Sequence, residues 1–555
     1  MRNDSDMEEI LYPQDIENFV IKDKKYRSKK LKCGIIITVA ILVFLAIIGV
    51  ALFFILRYIG GKIICKYETT KDNEEVQLIN IKDGISFSLK IDEKGFKRND
   101  KHSFEKAGLH NVTFHFKKKL ESLDGLFKGI NHLIEADFTE LETEEIKSMG
   151  STFAYCKNLK KVNFNTETPN LEDMSYMFFS CESLNTVNLN LDTSKVKRMD
   201  FMFYNCRELI NLDLSSFNLE NLSNAPNMFA FCIKLNELKF KDTTNTNNLE
   251  EMNEMFSHCE SLEQINTKIF KTKKINNLNY IFENCYSLKE LDLSHFETEN
   301  IVEAIGTFKN CSNLKSLNIS NLDTSKLQKI SYIFYGCINL TSLDLPSINT
   351  SELFYAANAF YDCQSLTSLN LSSFNFRKLI SAKNMFYNCI NLKSLILPNR
   401  MISLIRSNSM FENCNQLQSL NLGFLEEANH WHLAMAMFKN CHSLTDIQIP
   451  NVNAFYLENT EEMFSKCTNL ASINLEGLTA NNINAMNSMF YKCSNLNYLN
   501  IFNFNTKNAE YLDNILYDVG AEKKVDIQFN PDITNEKLID RITKINGGNV
   551  ISKIF

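Results

Sequence analysis

The sequence predicts a repeat solenoid of leucine-rich type, about 16 coils of 25–27 residues, behind a single N-terminal transmembrane helix. Three observations carry this. The spacing Phe-x-x-Cys-x-x-Leu-x-x-Φ, with Φ apolar, occurs fourteen times, at Cys156, Cys181, Cys206, Cys232, Cys259, Cys285, Cys311, Cys337, Cys363, Cys389, Cys414, Cys441, Cys467 and Cys493. The pattern decays at both ends, with Ile130 and Val519 in the cysteine place. A run of 23 uncharged residues, Gly34 to Leu56, precedes the repeats. A fixed period of this size means stacked units, each burying its apolar side against its neighbours.

Within one coil, Leu340, Leu343 and Leu345 form L-x-x-L-x-L, the strand core of leucine-rich repeats. Leu343 and Leu345 fall on one face of a strand and Asp344 on the other. One short parallel β-strand per coil is therefore expected. The segment before each cysteine, Met-Phe in nine coils, is expected to make a short helical turn. Polar linkers such as Asp323-Thr324-Ser325 supply turns. At the strand spacing the stack would be roughly 75 Å long.

Fourteen of the 16 cysteines belong to the repeat; only Cys33 and Cys65 do not. Equivalent cysteines on stacked coils would stand about 4.8 Å apart. Parallel side chains point the wrong way for a disulfide dihedral. The expectation is a structural core ladder of buried free thiols, exemplified by Cys206, Cys285, Cys311, Cys337, Cys363, Cys389, Cys441, Cys467 and Cys493. Each is framed by Phe and Leu, which argues for a dry core rather than metal ligation. No cofactor is expected.

The apolar run is long enough to cross the hydrocarbon core. Lys22, Lys24, Lys25, Arg27, Lys29, Lys30 and Lys32 outnumber the basic residues that follow it. The positive-inside rule then puts residues 1–33 in the cytosol and the C-terminal solenoid outside the cell or in a lumen. A cleaved signal peptide is disfavoured by the long leader and long apolar run. The domain reading is a cytosolic tail at 1–33, a membrane helix at 34–56, and a juxtamembrane segment with a strand-rich cap at 57–118. The solenoid follows at 119–530, and 531–555 forms a C-terminal cap or tail in which Glu536 to Ile545 makes a short helix. Asp6-x-x-x-Ile10-Leu11 resembles a dileucine sorting signal, and Cys33 sits where palmitoylation occurs.

Seven residues after each cysteine lies the outward strand position. It is Asn or Asp in 11 of 14 coils, although strands disfavour both. The candidate ligand-binding face is Asn266, Asp292, Asn318, Asp344, Asn370, Asn421, Asn474 and Asn500. A ladder of stacked amides is the competing structural explanation. Lys239 and Ile396 break the row. Glycosylation sequons fall at Asn111, Asn221, Asn310, Asn318, Asn339, Asn349 and Asn370. A net charge of −7 gives no electrostatic case for nucleic acid. His102, His110 and His115 lack a matching zinc constellation. His430 and His432 flank the only tryptophan, Trp431. No nucleophile elbow, P-loop or dinucleotide fingerprint appears, so no catalytic residue is assigned.

The strings SLNISNLDTSKLQKISYIFYGCINLTSLDL and SLTSLNLSSFNFRKLISAKNMFYNCINLKSL resemble the BspA-like leucine-rich repeats of microbial surface proteins. The nearest variant is that of mycoplasma lipoproteins, with its LDLSSFDTSxVxxMxxMFxxC unit. The resemblance spans roughly residues 120–530. It implies surface display in adhesion or host contact, with an extracellular protein or glycan ligand. The chain departs from it in having no lipobox cysteine, and residues 34–56 would supply the contact with the lipid bilayer instead. Two further expectations stand beside adhesion: a signalling or endocytic receptor using the short tail, and a structural surface-coat component.

Overall fold

The structure, a computed structural model, describes residues 59–545 apart from 82–83, 97–98, 242–244, 346–348 and 521–524, together with 38–48 and six positions between 21 and 29. It begins with an antiparallel cap. Strands β1 (Lys62–Thr69), β3 (Phe87–Ile91), β4 (Lys94–Phe96) and β6 (Gly108–Phe116) share one sheet, and β2 (Glu74–Gln77) pairs with β5 (Lys101–Phe104). The solenoid follows with β7 (Leu133–Asp137), β8 (Lys161–Asn165) and β9 (Thr186–Asn190) in parallel register. The sheet order is β4-β3-β6-β1-β7-β8-β9. Strand β1 therefore pairs antiparallel with β7 and covers the edge that the first coil would otherwise expose. Cap and solenoid also share one apolar core, through contacts such as Phe114 against Phe127 at 6.0 Å.

Further along, parallel pairing joins Asn211–Leu214 to Glu237–Phe240, Glu290–Asp292 to Ser316–Asn318, and Ser368–Asn370 to Ser394–Ile396. The last four rungs, Asp446–Gln448, Ser472–Asn474, Tyr498–Asn500 and Asp526–Gln528, form one continuous sheet. One strand per coil is too many: the rungs at 263–266, 342–345 and 420–422 carry none. Two of them run straight into short 3₁₀ turns, Thr267–Ile269 and Gly423–Leu425, which curl the chain before a strand can lengthen.

The expected helical turn is also corrected. The segment before each cysteine is a run of consecutive turns, not a helix. In the Cys181 coil, the N–H groups of Met174, Tyr176, Phe178 and Ser180 donate to Arg198, Asp200, Met202 and Tyr204 of the next coil at 2.7–2.9 Å. The intervening N–H groups close tight turns, such as Cys181 to Phe178 at 3.0 Å. A helix would send those N–H groups to carbonyls four residues back in its own segment. Here two residues four apart take left-handed φ, Tyr176 at 59° and Ser180 at 56°, with the same pair of positions repeated down the stack. This turn face, rather than the strand face, is the more continuous spine of the solenoid.

The core is a column of stacked phenylalanines. From Phe127 to Phe490, successive rings lie 5.2–6.1 Å apart with planes within 24°. Beside it, every repeat cysteine is buried, and each Sγ–H donates to the carbonyl of the Phe one coil back, at 2.9–3.2 Å. Cysteine suits this place because it is a small hydrophobe with one weak donor. The first coil has no earlier repeat Phe to reach, and there Ile130 needs no donor. Cys65 is buried in β1, and Cys33 lies outside the described residues.

Helix α1 (Glu536–Ile545) closes the far end, turning Leu538 and Ile542 inward. The Asn535 N–H just before it donates to Thr506 at 3.0 Å. At the other end, only 38–48 of the expected membrane span 34–56 are described. They are helical, with exposed Val39, Ile41, Leu42 and Phe44. Among the described residues no helix is long and apolar enough to cross a membrane. The rest of the span, residues 1–20 and the final ten residues lie outside the described set.

Candidate ligand-binding face

The strand face brings parts of the predicted row together. Asp292 stands opposite Asn318, and Asn474 opposite Asn500, in adjacent paired rungs. Asn266, Asp292, Asn318, Asp344, Asn370 and Asn421 are exposed, and Asn474 is half-buried. Asn500 is 2 % exposed, and its amide donates to Glu476 at 3.2 Å, so it presents little to a ligand.

The side chains explain why Asn and Asp recur here. The Oδ1 atoms of Asn266, Asp292, Asn318, Asn370, Asn421, Asn474 and Asn500 each accept from the N–H two residues on, at 2.8–3.2 Å. Each is an Asx turn that ends its strand and starts the return of the coil. At Asp292 the Ser294 hydroxyl adds a second bond at 2.7 Å, and these hydrogen bonds hold the carboxyl below the usual carboxylate range. The Ser215 hydroxyl and N–H act likewise on Asp213. Stacked side chains occur on this face in the first coils, where Asn163 reaches Asp137 at 3.3 Å, Asn188 reaches Asn163 at 2.9 Å and Asn190 reaches Asn165 at 2.6 Å. At the two breaks, Lys239 pairs with Glu237 at 2.9 Å, and Ile396 is half exposed beside Asn370.

A second set of stacked amides lies on the turn face, immediately before the cysteines. Asn310 donates to Asn284 at 2.7 Å, Asn440 to Asn413 at 2.7 Å, and Asn388 to Asp362. All of these residues have positive φ, which Asn and Asp tolerate better than most side chains. Next to them runs a feature the sequence reading missed, a row of aromatics two residues before the cysteine. Tyr335, Tyr361 and Tyr387 stack at 4.5 and 4.6 Å with planes within 8°. Phe179 stacks on Tyr204 at 4.8 Å. Burial between its neighbours pushes the Tyr361 phenol up to about 12. The recurrence of Tyr or Phe at that offset in consecutive coils was the available signal.

Gly306 marks a further close approach on this face. Its φ is +58°, and a Cβ there would lie 2.4 Å from the Tyr280 ring. Equivalent positions carry Tyr332 and Asn358 in left-handed backbone, so the ring rather than φ selects glycine. Gly306→Ala is expected to destabilise the protein by about 1–3 kcal/mol. Tyr280→Ser should recover most of that loss in urea unfolding, because it removes the ring.

The histidines are held structurally. His110 stacks on Phe104 at 3.9 Å and bonds Asp92 at 3.0 Å. His102 packs edge-on to Phe104, and burial lowers its pKa and that of His115. Trp431 is buried, with its indole N–H on Ser407 at 2.8 Å, while His430 and His432 stack over Tyr456. Among the described residues no three His, Cys, Asp or Glu side chains are grouped to hold a metal.

Residues 121–241 match a family described as a Mycoplasma protein of unknown function. Overlapping stretches from 247 to 514 match the BspA type leucine-rich repeat region. No curated protein matches the chain. Among solved structures, a leucine-rich repeat protein from Bacteroides ovatus is 17% identical, with 78% of this chain and 90% of that one covered and a TM-score of 0.42. A leucine rich cell surface protein from Faecalibacterium prausnitzii is also 17% identical, over 54% and 82% of the two chains, at a TM-score of 0.33. The functional domain of InlJ from Listeria monocytogenes, which includes a cysteine ladder, is 15% identical over 69% and 73%, at 0.17.

Proposed function

We propose that this chain, which belongs with the BspA-type leucine-rich repeat proteins, is a surface-displayed binding protein. Its solenoid would lie outside the cell, held by a membrane helix at 34–56, and would engage an extracellular protein or glycan in adhesion or recognition. One observation supports this reading above the others: a long stack of near-identical coils presents exposed polar side chains at regular spacing over a buried core. Such a surface suits an extended partner better than a small substrate. The anchor is supported by 23 uncharged residues, by the basic stretch before them, and by apolar side chains left exposed at 38–48.

The test is antibody access to a C-terminal tag in intact and permeabilised cells. Staining of intact cells is the expected result. Staining only after permeabilisation would reverse the topology and end the adhesin reading. With topology established, the exposed members of the row become the targets. Asn318→Lys with Asn370→Lys should weaken ligand capture; Lys239 shows that the strand accepts the residue, but two Asx turns are lost, so urea unfolding is measured alongside and the loss of capture must exceed what the unfolded fraction accounts for.

A further inference from the structure

Charge is not spread evenly over the solenoid. The chain carries a net charge of −7, yet one strip of its surface is basic. It lies on the limb of the coil that leads into the turn run, six to twelve residues before the cysteine, away from the Asn and Asp row. In the coils of Cys337, Cys363, Cys389 and Cys414 these positions carry six basic residues, Lys326, Lys329, Arg377, Lys378, Lys383 and Arg406, against one acidic residue, Glu352. The sign reverses on both sides. The same positions hold Glu299 and Glu303 in the coil before the strip, and Glu458 and Glu461 beyond the Cys441 coil.

The backbone holds these coils in register. Lys329, Tyr355, Ser381 and Arg406 form an unbroken run of parallel bridges, so each stands about 4.8 Å from the next. One residue earlier, the Phe354 N–H donates to Gln328 at 2.9 Å and the Ile380 N–H to Phe354 at 2.9 Å. Two of the cations are already matched. Lys329 lies 2.6 Å from Glu303, and Lys378 lies 2.7 Å from Glu352 and 5.8 Å above the Phe354 ring. The other four, Lys326, Arg377, Lys383 and Arg406, are exposed, and among the described residues none of them pairs with a carboxylate. Lys326 reaches only the Asn300 amide oxygen, at 2.7 Å. Residues 346–348, outside the described set, contain no Asp or Glu. The Cys363 coil, which has no free cation in the strip, presents Tyr355 there at 41 % exposure. Four like charges thus stand within roughly 15 Å along the stack, where they repel one another.

We propose that this strip binds an acidic linear polysaccharide, laid along the stack with its anionic groups on Lys326, Arg377, Lys383 and Arg406 and a sugar ring against Tyr355. Unmatched cations of one sign call for a polyanion, and arginine presents a planar fork that takes an oxyanion in two parallel bonds. Their spread over successive coils on an exposed surface suits an extended chain better than a small ion. A protein partner needs an apolar centre, which Tyr355 alone does not make. Its ring, apolar in the body and polar at the tip, suits a sugar. The choice of a polysaccharide over a nucleic acid rests on the extracellular placement proposed above. The strip itself is a separate surface from the Asn and Asp row.

The probe is fluorescent heparin, a sulfated polysaccharide, followed by anisotropy on the full chain in nanodiscs of zwitterionic lipid. Binding is expected at low salt and should vanish at about 1 M salt, and neutral dextran should not bind. Arg377→Ser with Lys383→Ser and Arg406→Ser should weaken heparin binding roughly tenfold or more. Lys315→Ser with Lys393→Ser removes exposed charge from the strand side and should change it by about twofold at most. The three side chains removed from the strip pair with no carboxylate, so the triple variant should unfold in urea as the unmodified chain does. Absence of heparin binding would overturn the proposal, and so would equal losses in the two variants. Tighter binding of an oligothymidylate than of heparin would overturn it too, making the strip a nucleic-acid surface. Nanodiscs leave both sides of the bilayer open, so the measurement is blind to topology. A failure here leaves the extracellular reading standing, and a failure of the tag-access test leaves the heparin result standing.

Discussion

Phe438→Ala is expected to destabilise the solenoid by about 3–5 kcal/mol, among the largest effects of any single substitution. Phe438 is fully buried and stacks at 5.4 Å on both Phe411 and Phe464. Its N–H donates to Met463, and its carbonyl receives the Cys467 thiol at 3.1 Å. The backbone bonds survive truncation, but two ring stacks do not, and the cavity left behind faces a rigid column that cannot collapse into it. In a solenoid each coil contacts only its neighbours, so the loss should be local. Hydrogen exchange should accelerate over roughly residues 405–470 while the cap keeps its protection. Phe438→Leu should cost distinctly less. Uniform acceleration along the whole chain would mean that the stack unfolds as one unit, and the nearest-neighbour description would have to be abandoned.

The fold was legible because its period is written in the side chains. A Phe, a Cys and a Leu at fixed offsets are what a column of rings, a column of thiols and a strand require. The turn run was misread for a physical reason. Met174, Met177, Phe178 and Cys181 are spaced i, i+3, i+4 and i+7, which is the apolar stripe of a helix. What breaks the helix is the left-handed residue before the cysteine, frequently Asn, together with N–H groups claimed by the next coil. The first was visible in sequence as recurrent Asn-Cys pairs; the second is a tertiary contact that no single segment displays. The Asn and Asp row was located from its spacing, but its local cause lay two residues further on, at Ser294, Ser320 and Ser372.

Alkaline pH should unfold the solenoid steeply, and the thiols should be the cause. Burial raises every repeat cysteine above the ordinary thiol range, to about 12 for Cys156, Cys232, Cys337, Cys389 and Cys493. The folded state therefore holds its protons where the unfolded chain releases them. Below about pH 8.5 both states are protonated, and the contribution is fully present. As pH rises between the unfolded and folded values, the unfolded state binds fewer protons and stability falls. Each thiol then contributes a loss of about 1.4 kcal/mol per pH unit. Summed over the ladder this is on the order of 10 kcal/mol per unit, comparable with the whole stability of a domain. Unfolding should thus be complete well before any buried thiol reaches its own folded pKa. Circular dichroism from pH 8 to 11, with thiol labelling on parallel samples, measures it. The expected result is unreactive thiols at pH 8, then loss of structure and appearance of reactive thiols in one transition between about pH 9 and 10.5. Thiols that label at pH 8 with the fold intact would mean that the ladder is accessible, and the dry core of stacked Phe and Cys would be wrong.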